Sequence, residues 1–268
     1  MKAAKTTVPD ILQKKERREK ITMLTAYDFP MASILSKAGV DMLLVGDSAN
    51  MVFAGEPNSL TATMDQMIYH SRAVSNAQPV SLIVGDMPFM SYQLSPEQAA
   101  ENAGRFISQG RAEAVKLEGG GEFVKEIEAI SKCGIPVMGH LGLTPQSIHK
   151  FGGFKVQGRD EAAAKKLMDD AFALQQAGCF SIVLECVPAD LAGKMTESLA
   201  IPTIGIGAGP DCDGQVLVTP DLLGLFERFT PKFVKRYASL APLVEEAVKS
   251  YIEEVKAGKF PSEDHTYK

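Results

Sequence analysis

Short apolar runs separated by longer amphipathic stretches recur along the chain: Ile21-Thr22-Met23-Leu24, Met42-Leu43-Leu44-Val45, Ser81-Leu82-Ile83-Val84, Ala114-Val115-Lys116-Leu117, Ile135-Pro136-Val137-Met138, Ser181-Ile182-Val183-Leu184, Thr203-Ile204-Gly205-Ile206 and Gln215-Val216-Leu217-Val218. Continuous apolar runs, rather than strict alternation with polar residues, suit strands buried on both faces, as in a parallel sheet covered by helices. The punctuation agrees. Gly39, Gly110, Gly134 and Gly178 each precede a strand and are suited to closing a helix in the left-handed conformation. Thr63 with Gln66, and Ser95 with Pro96 and Gln98, read as capping boxes at helix starts. Pro79, Pro136 and Pro202 open strands, where a missing N–H does least harm.

Strand and helix alternating to a count of eight predict an α/β fold, a closed (β/α)8 TIM barrel, rather than an open doubly wound sheet. The expected organisation is a single barrel domain over residues 1–268, with an N-terminal helical extension and C-terminal helices. The interval between the Thr203 and Gln215 strands is too short for a full helix. Residues 221–256 should supply the last helices, with Leu243, Ala247 and Tyr251 on one face.

The 268 residues are 45% hydrophobic and 23% charged, enough apolar material for a large core in one domain. A net charge of −5 with dispersed basic residues argues against a nucleic-acid partner, and the run from Lys14 to Lys20 reads as a solvated helix face. The four cysteines, Cys133, Cys179, Cys186 and Cys212, form no CxxC pair and are expected to be reduced core residues. With no secretory leader and no apolar run of membrane-spanning length, a cytoplasmic protein without membrane contact is expected.

The chemistry lies just beyond the apolar runs. Asp47-Ser48 follows the second, Asp86 the third, Glu118 the fourth, His140 the fifth and Glu185 the sixth. Any one such acid is often only a helix cap or turn residue. Five strands in succession ending this way are harder to explain as caps, because barrel strand ends converge on one rim where active sites form. Lys116 and Glu118, two apart, share a side of their strand. A lysine inside an apolar strand needs a partner to offset its desolvation. Four carboxylates against one lysine leave excess negative charge that a divalent cation would balance. An all-oxygen ligand set favours Mg²⁺ over zinc. His140 stands alone and is assigned to substrate rather than to metal. Gly205-Ile206-Gly207-Ala208-Gly209 lacks the dinucleotide spacing and reads as a tight rim loop.

Several strings together resemble the ketopantoate hydroxymethyltransferase family over about residues 10 to 265: Thr25-Ala26-Tyr27-Asp28, Val45-Gly46-Asp47-Ser48, Asp86-Met87-Pro88-Phe89, Val115-Lys116-Leu117-Glu118-Gly119-Gly120, the long Gly139-His140-Leu141-Gly142-Leu143-Thr144-Pro145-Gln146-Ser147, Phe151-Gly152-Gly153-Phe154-Lys155-Val156-Gln157-Gly158, Leu184-Glu185-Cys186-Val187-Pro188, and the 205–209 loop. The resemblance implies a barrel of the phosphoenolpyruvate/pyruvate type. It implies hydroxymethyl transfer from 5,10-methylenetetrahydrofolate to 3-methyl-2-oxobutanoate, giving 2-dehydropantoate, with Mg²⁺ and a homodecameric assembly. By the same resemblance Asp47, Asp86 and Glu118 match the metal positions, and Asp47, Ser48, Asp86 and Lys116 contact the oxo acid. His140 would steady its negative oxygens, and Glu185 matches the proton acceptor.

This chain departs from the family locally, with Ala49-Asn50-Met51 for the usual Leu-Gly-Met and an altered Gly55 to Leu60 loop. Asn50 is expected to take the left-handed backbone that the glycine would have had. The competing readings are a Mg²⁺-dependent 2-oxo acid lyase or mutase and a catalytically silent barrel that binds a small acid.

Overall fold

A computed structural model describes residues 4–153 and 155–267; Phe154, within one of the family strings, lies outside them. Eight strands form a closed barrel, each parallel to the next and β8 parallel to β1. They are β1 (Ile21–Thr25), β2 (Met42–Val45), β3 (Leu82–Asp86), β4 (Ala114–Lys116), β5 (Val137–Gly142), β6 (Cys179–Glu185), β7 (Thr203–Ile206) and β8 (Gly214–Leu217). The helices of this unit are α1 (Val8–Glu16), α2 (Phe29–Lys37), α3 (Ala49–Val52), α4 (Met64–Asn76), α5 (Pro96–Ser108), α6 (Val124–Lys132), α7 (Ile148–Phe151), α8 (Glu161–Gln176) and α9 (Ala189–Ser198). No helix separates β7 from β8, as the short interval predicts.

The two-residue period of a strand sorts the side chains into two layers. Leu43, Val45, Ile83, Val115, Val137, Ile182 and Leu184 face outward into a core shared with the helices, among them Phe106, Ile127, Ile130 and Leu174. Ile21, Met23, Met42, Leu44, Leu82, Val84, Ala114, Met138, Val183, Ile204 and Val216 fill the barrel interior. The inward rows continue upward as Leu82, Val84, Asp86; as Ala114, Lys116, Glu118; as Met138, His140; and as Val183, Glu185. Polar chemistry is thus stacked on an apolar floor by alternation alone.

Ile11 of α1 is fully buried among the interior residues and closes the N-terminal mouth. The basic run around it is a solvated face only in part: Arg17 and Arg18 are exposed, but the lysines are tied to the barrel. Lys14 pairs with Asp41 at 2.9 Å, Lys15 with Asp213 at 2.7 Å, and Lys20 donates to the Cys212 carbonyl at 2.6 Å. These partners lie just before β2 and β8, so the lysines bind the lower rim.

Helix ends follow the sequence with two corrections. Thr63 and Gln66 form the reciprocal capping box, but at Ser95 only half of one is present: Ser95 accepts from the Gln98 N–H, while the Gln98 side chain accepts from Leu94 N. Gly39, Gly134 and Gly178 have positive φ, whereas near Gly110 it is Arg111 that does, at 57°. Gly110 is needed for space instead, since a Cβ there would sit 2.7 Å from the Phe106 carbonyl oxygen. Asn50 is helical within α3 rather than left-handed, and its Nδ2 donates to the Asn58 carbonyl and to Thr61 Oγ1, both at 2.8 Å, holding the 53–62 loop. All four cysteines are free, with Cys179 and Cys212 buried, Cys186 half-buried and Cys133 exposed, so Cys133 is not a core residue.

Residues 219–268 form a second compact unit, described through residue 267, with α10 (Thr219–Leu222), α11 (Leu240–Lys256) and a 3-10 turn at Glu263–His265. Leu243 and Tyr251 do share a face of α11, but with Val244, Val248, Ile252 and Val255 they are exposed.

Candidate active site

The upper ends of β2 to β6 bring together every residue that the sequence singled out except Ser48, which stands one step further along its loop. Asp86, His140 and Glu185 lie within their strands rather than after them, because β3, β5 and β6 run on through these residues. Asp86 and Lys116 are register partners, and Lys116 Nζ donates to Asp86 Oδ1 at 2.6 Å. Lys116 Nζ also lies 4.0 Å from Glu118 Oε1. Asp47, just past β2, donates its N–H to Asp86 Oδ2 at 3.3 Å. His140 stands between two carboxylates, with Nδ1 3.3 Å from Glu118 Oε1 and Nε2 3.2 Å from Glu185 Oε2. These are ion-pair distances without hydrogen-bond alignment, so both buried ring nitrogens lack an aligned partner among the described residues. Ser48 Oγ is 2.8 Å from the Tyr27 hydroxyl.

Burial governs the electrostatics. It raises the Asp47 carboxyl to about 8, reinforced by Asp86 and Glu118 and only partly opposed by Lys116. Asp86 is raised as well, first by burial, with Lys116 opposing. Glu118 goes the other way: burial alone would raise it, but His140, Lys116 and the Gln146 N–H together hold it below the usual carboxylate range. For Lys116 burial favours the neutral amine, yet Asp86, Glu118 and Asp47 outweigh it and the ammonium is held more firmly than in water. His140 is raised to about 9 against burial and Lys116, through Glu118 and Glu185. Burial and their carboxylate neighbours disfavour the ionised forms of Asp47 and Asp86, and a divalent cation between them would offset that cost.

The donor set is hard oxygen. Among the described residues no three His, Cys, Asp or Glu side chains converge as a ready cage. Lys116 and His140 occupy the space between the carboxylates, and Glu118 Oε2 accepts the Gln146 N–H at 2.9 Å. The residues fit Mg²⁺ nonetheless, since that ion commonly takes one or two carboxylates and completes its shell with water and substrate oxygens.

Residue-type reasoning gave no role to Gln146 or Tyr92. Gln146, in the turn after β5, donates from Nε2 to Asp47 Oδ2 and to the Met87 carbonyl, both at 3.0 Å. The Tyr92 hydroxyl is 2.9 Å from Gln146 Oε1 and 3.0 Å from the Glu118 carbonyl oxygen, and accepts the Glu118 N–H at 3.1 Å. Gln146 stood inside a family string, the one signal that could have drawn attention to it.

The family model described as ketopantoate hydroxymethyltransferase matches residues 5–263. The chain belongs to the ketopantoate hydroxymethyltransferase family. Among curated members of this family, the 3-methyl-2-oxobutanoate hydroxymethyltransferase of Pelobacter propionicus is 58% identical, the alignment covering 98% of this chain and 97% of the relative. That of Syntrophomonas wolfei is 57% identical, covering 98% and 96%. Among solved structures, phosphonopyruvate hydrolase complexed with oxalate and Mg²⁺ is similar with a TM-score of 0.63 at 12% identity, covering 97% of this chain and 93% of that one. A 2,3-dimethylmalate lyase of the PEP mutase/isocitrate lyase superfamily gives 0.60 at 16%, covering 98% and 89%. At such identities these two support the fold alone, a closed (β/α)8 barrel.

Proposed function

We propose that this chain transfers a hydroxymethyl group from 5,10-methylenetetrahydrofolate to C3 of 3-methyl-2-oxobutanoate, giving 2-dehydropantoate for pantothenate and coenzyme A synthesis. Family membership over nearly the whole chain supports the reaction. The single observation that carries the mechanism is the placing of Glu185, 15% exposed, beside His140 and across from the buried Asp47, Asp86 and Lys116 group.

Asp47, Asp86 and Glu118 are the residues we assign to holding Mg²⁺, Asp47 and Asp86 as the more direct pair. When bound, the cation supplies Lewis acidity at the keto oxygen of a chelating 2-oxo acid. Lys116, kept charged by its carboxylate neighbours, and His140, with two unaligned buried nitrogens, would steady the negative oxygens as the C3 proton leaves. Glu185 accepts that proton. The C3 carbon then bonds to the methylene carbon as one of its two bonds to folate nitrogen breaks, and water replaces the second nitrogen, leaving the CH₂OH group on the product and releasing tetrahydrofolate. Ser48, held by Tyr27, would bind the oxo acid at the rim.

The reading extends to a homo-oligomer, a decamer by family resemblance, and the exposed apolar residues of α11 support self-association. We take residues 1–268 to act as one catalytic chain in the cytoplasm. Four free cysteines support a reducing compartment, and no helix among the described residues is long and apolar enough to cross a membrane.

The test is C3 proton exchange of 3-methyl-2-oxobutanoate in D₂O, followed by NMR with Mg²⁺ or EDTA, for wild type and Glu185→Gln. Metal-dependent exchange that is lost in the variant is expected. No exchange by folded, metal-loaded protein, even with tetrahydrofolate added, would overturn the reading in favour of a lyase or a silent barrel.

A further inference from the structure

We infer that Gln146 is a positioning residue for this reaction, holding Asp47 Oδ2 so that Oδ1 is the oxygen presented to the cation. The inference rests on the metal-dependent reading above.

A primary amide can make four hydrogen bonds, two from nitrogen and two to oxygen. Gln146, only 6% exposed, makes all four. Its Nε2 donates to Asp47 Oδ2 and to the Met87 carbonyl, each at 3.0 Å, and its Oε1 accepts from the Tyr92 hydroxyl at 2.9 Å and Gln93 Nε2 at 3.1 Å. Flipping the amide would set its oxygen against a carboxylate and a carbonyl, and its nitrogen against the Gln93 amino group. The neighbours therefore dictate which way it points. Its backbone N–H meanwhile donates to Glu118 Oε2 at 2.9 Å.

The consequence falls on Asp47. With Oδ2 held, the carboxylate no longer rotates freely about its last bond, and Oδ1 takes no hydrogen bond from any described residue. A glutamine needed only for packing would have no reason to leave one oxygen of a buried carboxylate free while fixing the other. The lock is set from the loop after β3, through Met87, Tyr92 and Gln93, so Asp47 at the end of β2 is oriented by residues that would touch neither cation nor oxo acid. Partners of this kind behind metal-binding groups typically change metal affinity by about 10–100-fold when removed.

The test measures Mn²⁺ binding by EPR on the purified full chain, beside melting curves, for wild type, Gln146→Met and Gln93→Leu. Gln146→Met preserves volume and removes every side-chain hydrogen bond. It should weaken Mn²⁺ binding by about 10–100-fold and alter the line shape of bound Mn²⁺, with raised Mg²⁺ recovering part of kcat. Gln93→Leu keeps the bond to Asp47 but loosens the lock, and should give a smaller weakening in the same direction. Wild-type affinity and line shape in Gln146→Met, even with a lowered melting temperature, would overturn the inference and leave Gln146 as a packing residue. If Gln146→Met does not fold, Gln93→Leu decides, and unchanged Mn²⁺ affinity there overturns the inference. A wild type that binds no Mn²⁺ would overturn the metal reading itself, a result distinct from either.

Discussion

Lys116 and Asp86 face each other across the β3–β4 pair, 2.6 Å apart, each with less than a twentieth of its side chain exposed. Their strands run upward from the apolar floor of the barrel, so the pair is where that floor ends and the polar site begins. Removing one member of a buried pair leaves the other charged without water, which costs far more than an exposed ion pair is worth.

Lys116→Met should therefore lower stability at pH 7 by about 3 kcal/mol and abolish C3 proton exchange. Urea unfolding at pH 7 and at pH 5 checks the first part. The loss should shrink at the lower pH, where the stranded Asp86 more readily takes up a proton. An unchanged unfolding midpoint would mean that the pair contributes nothing to the fold.

Tyr92→Phe keeps the ring against Phe123, at 5.3 Å between centroids, but removes the acceptor of the Glu118 N–H. A buried donor left unsatisfied costs about 1–3 kcal/mol. The variant should melt measurably lower, and amide hydrogen exchange at Glu118 should accelerate. Wild-type protection there would show that another acceptor replaces the hydroxyl.

Gly142 has φ of 93°, and a Cβ added to it would collide with the Glu185 carbonyl oxygen and lie 2.7 Å from Val187 Cγ2. That same carbonyl accepts the Leu143 N–H at 2.8 Å, while Cys186, itself left-handed at φ 49°, donates to Ile206 on the other side. Glu185 is thus clamped by its main chain from β5 and β7. Gly142→Ala should reduce kcat by at least tenfold with a smaller change in KM for the oxo acid, since it moves the base more than the groups that hold the substrate. Wild-type kinetics in a folded variant would count against Glu185 as the base.

Burial raises the Asp221 carboxyl to about 6, with Arg236 partly opposing. Because the folded-state value lies above the unfolded one, ionisation disfavours the fold: the penalty is absent below about pH 4, grows up to pH 6 and is complete above it. Asp221→Asn should accordingly raise the melting temperature at pH 7–8, with the gain fading as the pH falls to 4. A variant that melts lower at pH 8 would show that the carboxylate makes a bond worth more than its desolvation.

The barrel and most of its rim were legible in the sequence because both rest on local rules. Alternation carries Asp86, Lys116, Glu118, His140 and Glu185 to the interior once Leu82, Ala114, Met138 and Val183 face that way. Strand ends were less legible: β5 continues through His140 and Gly142, and β6 through Glu185, since the ladder follows backbone pairing and is indifferent to where hydrophobicity stops. Gln146 and Tyr92 were not legible from residue type. Their importance lies in bonds to partners 99 and 26 positions away, which no periodicity encodes. Lys15 and Lys20 were misread for the same reason, their partners standing almost two hundred residues downstream.

The closing of the lower mouth by α1, with Ile11 as its plug and Lys15 bound to Asp213 and to the Thr196 carbonyl, divides the labour of the molecule. The lower mouth carries structure without chemistry, whereas the upper rim carries both, with several layers of aliphatic side chains as insulation between them. Substitutions in the plug and its lysines are therefore expected to move the melting temperature while C3 proton exchange at the far rim keeps its wild-type rate.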